Sequence, residues 1–222
     1  MGLVPRDDRT NFRGLHDGET VYVVASGASL DFIKPEFFRD KTVVAVNYIG
    51  RELGLEHYYM CSHYHLDAIA MSAEFPDLPI IVPEVDQGGN CLAPHPPEGD
   101  NVWAFPTNPQ QYAGFDVDAH WPTEPDSLPV GPTSLHFAMA FAAYLGAATI
   151  ILAGADCGTL DGRENRTGHD RGIGPPFPVW EDFLPRVADR LRRQGVAVHS
   201  LNPFVTPALE GHSYHSPACT IN

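Results

Sequence analysis

Apolar residues along this chain gather in short β-branched runs, each bounded by turn residues and separated from the next by a helix-length segment. The candidate strands are 21–25 (VYVVA), 42–46 (TVVAV), 57–61 (HYYMC), 79–82 (PIIV), 148–153 (ATIILA) and 196–200 (VAVHS). They lack the polar alternation of a half-exposed sheet, so they read as strands buried on both faces. Helices must then cover both sides, and the connections have the length for it. The pattern predicts an α/β fold: a three-layer, Rossmann-like sandwich with a mainly parallel sheet.

Two segments carry a helical pattern. Residues 132–145 (PTSLHFAMAFAAYL) are apolar nearly all round and end at Gly146, which predicts a helix buried against the sheet. Within 179–194, Phe183, Leu184, Val187 and Leu191 form one stripe, with Gly195 as the stop. Pro185 predicts that this helix begins near Asp182 and keeps the proline in its first turn. Residues 84–129 are crowded with Pro, Gly and Asn around one further short strand, 102–105, and read as a loop-rich insertion or substrate-side loop. Residues 1–20 read as a loose polar arm, and 21–222 as a single nucleotide-binding domain.

Composition narrows the function classes. At 222 residues, with 43% hydrophobic and 19% charged, the chain is ordinary globular protein of about one domain. Its formal charge of -14 disfavours nucleic acid and anionic membranes as partners, so any phosphate must be gripped locally. Lys34 and Lys41 are its only lysines, and seven of its twelve arginines follow Asp156. That places the scarce positive charge, in this reading, beside the strand ends, with a solvated helix face the preferred account of Arg186 to Arg193. The four cysteines are dispersed, no run suggests a signal peptide or membrane span, and a cytoplasmic location is expected.

In an open parallel sheet, ligands sit beyond the carboxyl ends of the strands. The first strand runs into Ser26, Gly27, Ala28 and Ser29, a small-residue turn able to offer backbone N–H groups to an anion at a helix start, although a tight structural turn would look the same. It has neither the three glycines of a dinucleotide motif nor the Lys-Ser/Thr of a P-loop. Asn47, Ser62 and His63 follow the second and third strands, and Gly131, Thr133 and Ser134 open the buried helix. Asp156 follows the fifth of the candidate strands. His63, His65 and Asp67 have a spacing open to zinc only on an extended backbone, and no metal site is assigned. Residues 157–178 form a Gly-, Pro- and charge-rich lid in which His169 suits a general base and Arg163, Arg166 and Arg171 suit a departing phosphate.

These pieces in this order resemble a known group. VYVVASGASLD, a strand ending in Asn47, GPTSLHFAMAFAAYLGAATIILAGADCG, then GHD and VAVHSLNPF are similar to the Rossmann-like domain of bacterial lipooligosaccharide sialyltransferases. They are similar also to motility accessory flagellin glycosyltransferases and archaeal 6-hydroxymethylpterin diphosphokinase. The likeness spans about 20–61 and 130–204 and leaves 84–129 uncovered. It implies that Gly27, Ala28, Ser29, Asn47, Thr133 and Ser134 hold the nucleotide of a CMP-sugar donor, that His169 within Gly168-His169-Asp170 is the base, and that Asn202-Pro203 closes the site. It implies no cofactor, a carbohydrate or other hydroxyl acceptor, and a homo-oligomer. The lid here has no tyrosine for the leaving phosphate, so Arg166 and Arg171 are assigned that task. The diphosphokinase branch implies the alternative, Mg2+-dependent transfer to a pterin-like alcohol with Asp156 on the metal. A third expectation is a nucleotide-binding module without catalysis.

Overall fold

The computed structural model describes residues 9–62, 65–84, 99–107, 116–118, 121, 122, 124, 126–129, 133–160, 162–169 and 177–202. Seven strands form one sheet: β1 (Thr20–Val24), β2 (Thr42–Val46), β3 (Tyr59–Cys61), β4 (Ile80–Pro83), β5 (Val102–Phe105), β6 (Thr149–Ala153) and β7 (Ala197–Ser200). Their order is β5-β4-β3-β2-β1-β6-β7, and every neighbouring pair is parallel. The sheet grows outward from β1 through β5, then returns to add β6 and β7 on the other side. The strand order therefore reverses between β1 and β6, as in Rossmann-like folds.

Period-two alternation explains why both faces are buried. Val21, Val23, Val44, Ile81, Phe105, Ile150 and Leu152 face one core, together with α3 (Ser134–Tyr144) and α4 (Phe177–Arg193). Val24, Val43, Ala45, Met60, Ile80 and Val82 face the other, on the side of α1 (Ile49–Glu52) and α2 (His65–Glu74). Helix α3 lies across β1, β2, β3 and β6. It is buried at every position from Ser134 to Ala142, as its all-round apolar sequence predicts. Among the described residues no helix is long and apolar enough to cross a membrane.

Two expectations are corrected. Helix α4 begins at Phe177 and carries Pro185 in its interior. The proline removes one backbone bond and crowds the preceding turn, about 3 kcal/mol. Burial of Phe183, Leu184, Val187, Ala188 and Leu191 along one stripe offsets it and keeps the helix continuous.

The described part of the polar arm, from residue 9 onward, is not loose. A 3-10 turn (Arg9–Phe12) drives Phe12 into the core, 2% exposed, where its ring meets the edges or faces of Trp103, Phe141 and Tyr59 at 5.1, 5.7 and 6.0 Å. The backbone beyond it caps α3. Gly14, His16 and Gly18 donate their N–H groups to the carbonyls of Tyr144, Leu145 and Gly146 at 3.1, 2.7 and 3.0 Å. A helix leaves its final carbonyls without partners of its own, and the arm supplies them. Gly146 has φ +92°, and a Cβ there would press on the backbone of Asp17. Phe12 was hidden in the sequence because it is one aromatic residue among polar neighbours.

Phe12→Ala should therefore destabilise the protein by about 3–5 kcal/mol in urea unfolding. Phe32→Ala, at a ring 59% exposed, should stay within about 0.5 kcal/mol of the parent. Equal effects from the two would contradict the packed arm.

Candidate functional site

Where the strand order reverses, the loops after β1 and β6 stay hydrogen-bonded to one another, Ala25 to Ala153 and Gly27 to Gly154, and Asp156 of the second loop is buried against the first. Its side chain is 2% exposed. One carboxylate oxygen, Oδ2, accepts the backbone N–H of Ser29 at 2.7 Å. The other accepts the Ser29 hydroxyl and, at 3.1 Å, the amide of Asn202 beyond β7. Burial pushes the carboxyl above the usual carboxylate range, and the two Ser29 hydrogen bonds pull it partly back. Gly27 makes this approach possible: its N–H donates to the Gly154 carbonyl at 2.8 Å, and a Cβ would overlap that oxygen and lie 2.6 Å from Asp156 Oδ2.

The small-residue turn therefore differs from an open anion cradle. It continues as a five-residue 3-10 turn (Ala28–Phe32), not an α-helix, and the N–H groups of Gly27 and Ser29 are engaged within the protein. Strand-end placement brings Asp156 where it was expected, but as an anchor that ties the loops after β1, β6 and β7.

On the β2 side, Asn47 has φ 53°, the left-handed region that asparagine tolerates better than most residues. Its side-chain oxygen accepts the Ser134 hydroxyl at 3.1 Å, so the end of β2 is joined to the first turn of α3. Thr133 occupies the N-cap position without a capping hydrogen bond, and its hydroxyl lies 2.8 Å from His136 Nδ1. Ser62 is buried at the end of β3. His65 is buried in α2 with Nε2 2.8 Å from the Pro83 carbonyl oxygen, while Asp67 accepts from Tyr48 at 3.1 Å. His63, Gly131 and Arg171 lie outside the described residues.

The described part of the lid, 157–160 and 162–169, is bound down onto the same rim. Ser26 donates its hydroxyl to the Asn165 side chain at 2.9 Å, and its carbonyl accepts the Arg166 N–H at 2.8 Å. Asp31 accepts from Arg163 at 2.5 Å and from the Thr167 hydroxyl and backbone at 2.8 and 2.9 Å. Burial alone would raise the Asp31 carboxyl, but the bonds from Arg163 and Thr167 outweigh it and hold it below the ordinary value. Glu52, the last residue of α1, places both carboxylate oxygens 2.9 Å from His169 Nδ1. Arg166 lies 3.6 Å from the same carboxylate, and its buried Nε has no hydrogen-bond partner among the described residues.

His169 and Arg166 thus share one corner of the crevice. Glu52, Asp31, Asn165 and Thr167 complete the arrangement and were not anticipated. The strand-end rule, carried one turn past Asn47 and Ser29, would have reached the first two.

The arginines of α4 belong elsewhere. A helix that feeds the next parallel strand runs against the strand direction, so Arg190, Arg192 and Arg193 lie at the opposite rim. The solvated helix face expected for Arg186 to Arg193 is thus found, and among the described residues only Arg163 and Arg166 carry the charge beyond Asp156 to the crevice. Arg192 pairs with Asp189 at 2.7 Å and Arg193 with Asp118 at 2.6 Å. They line an open groove of about 540 Å3 with as many carboxylates as arginines: Asp116, Asp118 and Asp189 against Arg186, Arg192 and Arg193. This is a solvated, self-compensated helix face.

The two carboxylates should have opposite pH signatures. Asp156 has a raised value, so its favourable contribution holds at low pH and is lost as pH rises through that value. The stability of Asp156→Asn relative to the parent should therefore rise as pH increases above about 4, whereas Asp156→Ala, which leaves the Ser29 N–H buried and unpaired, should cost about 1–3 kcal/mol. Asp31 has a lowered value, so its contribution is present at neutral pH and is lost on acidification. Asp31→Asn should therefore cost more at pH 7 than at about pH 3. Urea midpoints across that range check both signs, and parallel pH profiles would contradict the assignment. Compared with the families of known proteins, with curated proteins and with solved structures, the chain finds no match in any of the three, and the crevice is read from its own geometry.

Proposed function

We propose that the crevice binds a nucleotide-activated sugar, a CMP-sugar first, and transfers the sugar to a hydroxyl of a carbohydrate or other acceptor. The observation that carries this reading is the corner where His169 is held by Glu52 beside Arg166, at the edge of the β1–β6 switch crevice. An imidazole and a guanidinium converging there match the two needs of the reaction, a base and a stabiliser of departing phosphate.

Ser26, Asn47 and Thr133 are partly exposed and are the residues assigned to touch the nucleotide. Ser29, Ser134 and Asn202 are buried behind them and keep the loops in place. In the proposed step the acceptor oxygen attacks the anomeric carbon of the donor sugar. The new C–O bond forms as the bond from that carbon to the phosphate oxygen breaks, and the nucleotide leaves with the electron pair. His169 Nε2 takes the acceptor proton, and Arg166 stabilises charge growing on the phosphate. A dianionic leaving group needs such local cations in a chain of net charge -14. A cytoplasmic location accompanies this reading.

In the diphosphokinase alternative Asp156 would hold Mg2+. Its oxygens accept from Ser29 and Asn202, and those donors would have to be displaced first. The crevice as built gives that reading less support.

Calorimetric titration should detect CMP binding without added metal. His169→Ala should lower CMP-sialic acid hydrolysis or transfer by about 10²–10⁴-fold while leaving CMP affinity in place. Binding of ATP only with Mg2+, or a His169→Ala variant as active as the parent, would overturn the proposal.

A further inference from the structure

We propose that Glu52 is a positioning residue that fixes the tautomer of His169, so that Nδ1 carries the proton and Nε2 is the atom left to accept one. The inference rests on the reading of His169 as the base and goes beyond it, because a base is useful only if its acceptor nitrogen is the one facing the substrate.

A neutral imidazole has one donor nitrogen and one acceptor nitrogen, and an ionised carboxylate can only accept. Both Glu52 oxygens lie 2.9 Å from Nδ1, so the ring proton is drawn to that nitrogen. No residue among those described bonds Nε2, and the side chain is only 6% exposed, which limits competition from water. The backbone fixes the ring from the other side: Arg166 N–H donates to the Ser26 carbonyl at 2.8 Å, and His169 N–H donates to the Arg166 carbonyl at 3.2 Å. The ring is therefore suspended between the loop after β1 and the turn after β2.

Glu52 is aimed by its own surroundings. The left-handed turn at Asn47 swings the chain out of β2 into the single turn of α1, where the Glu52 N–H closes on the Tyr48 carbonyl at 3.0 Å. The Arg166 guanidinium, 3.6 Å away, attracts the carboxylate from beside the ring. A pair needed only to pin the lid would select the same nitrogen but would leave turnover unchanged when the tautomer is shifted, and this difference can be measured.

Long-range proton–nitrogen NMR of the 15N-labelled full chain, with His169→Gln to assign the ring, should show the neutral His169 protonated at Nδ1. In Glu52→Ala the population should shift toward Nε2–H, and kcat for CMP-sialic acid turnover should fall about tenfold or more with KM within about twofold. Glu52→Asp should restore part of both, and Glu52→Gln, which keeps the shape and an uncharged acceptor, should fall between parent and Glu52→Ala. A ring protonated at Nε2 in the parent, or a tautomer unmoved in both Glu52→Ala and Glu52→Gln, would overturn the assignment. Should the tautomer shift as expected while the parent turns over no CMP-sugar, the positioning stands and the donor assignment fails.

Discussion

The buried carboxylate of Asp156 is the constraint on which the rest of the crevice depends. Placing a carboxyl group where strand order reverses is costly, because burial disfavours its charged form. The fold compensates by surrounding it with donors from separate loops, the Ser29 amide and hydroxyl after β1 and the Asn202 amide after β7. Gly27 and Gly154 then have to be glycine, since the two loops pass too closely for a Cβ on either side. With the β1 loop held, Ser26 can dock Asn165 and Arg166, and their docking delivers His169 to Glu52. The chemistry proposed for the rim is therefore built outward from one desolvated acid.

Electrostatics divides the molecule into two regions with different logic. At the crevice, Asp31 and Glu52 engage Arg163, Arg166 and His169 in partly buried contacts that fix a loop. At the far rim, the α4 arginines pair with Asp118 and Asp189 in a wide, wet groove where the energies are small. A net charge of -14 says nothing about this division, which follows from the direction in which α4 runs.

The fold was legible because its signal is repeated. The central strands present two apolar faces, so a β-branched run such as TVVAV identifies itself without its neighbours, and β2 and β5 lie where the pattern places them. Asp156 and Asn47 were legible through one rule, that polar residues at parallel strand ends converge, whereas Ser29 came from its small-residue turn and Asn202 only from the resemblance. Contacts set by tertiary geometry were not. Phe12 has no periodic company, Glu52 is one acidic residue on a single turn, and Pro185 argues locally for a helix start that core burial overrides.

Amide hydrogen exchange of the intact chain with and without CMP tests the central claim most directly. Binding in the β1–β6 crevice predicts added protection in 26–30, 47–52, 133–136 and 162–169, with α4 beyond Arg186 unchanged. Protection confined to the α4 groove, or none anywhere at saturating CMP, would contradict it.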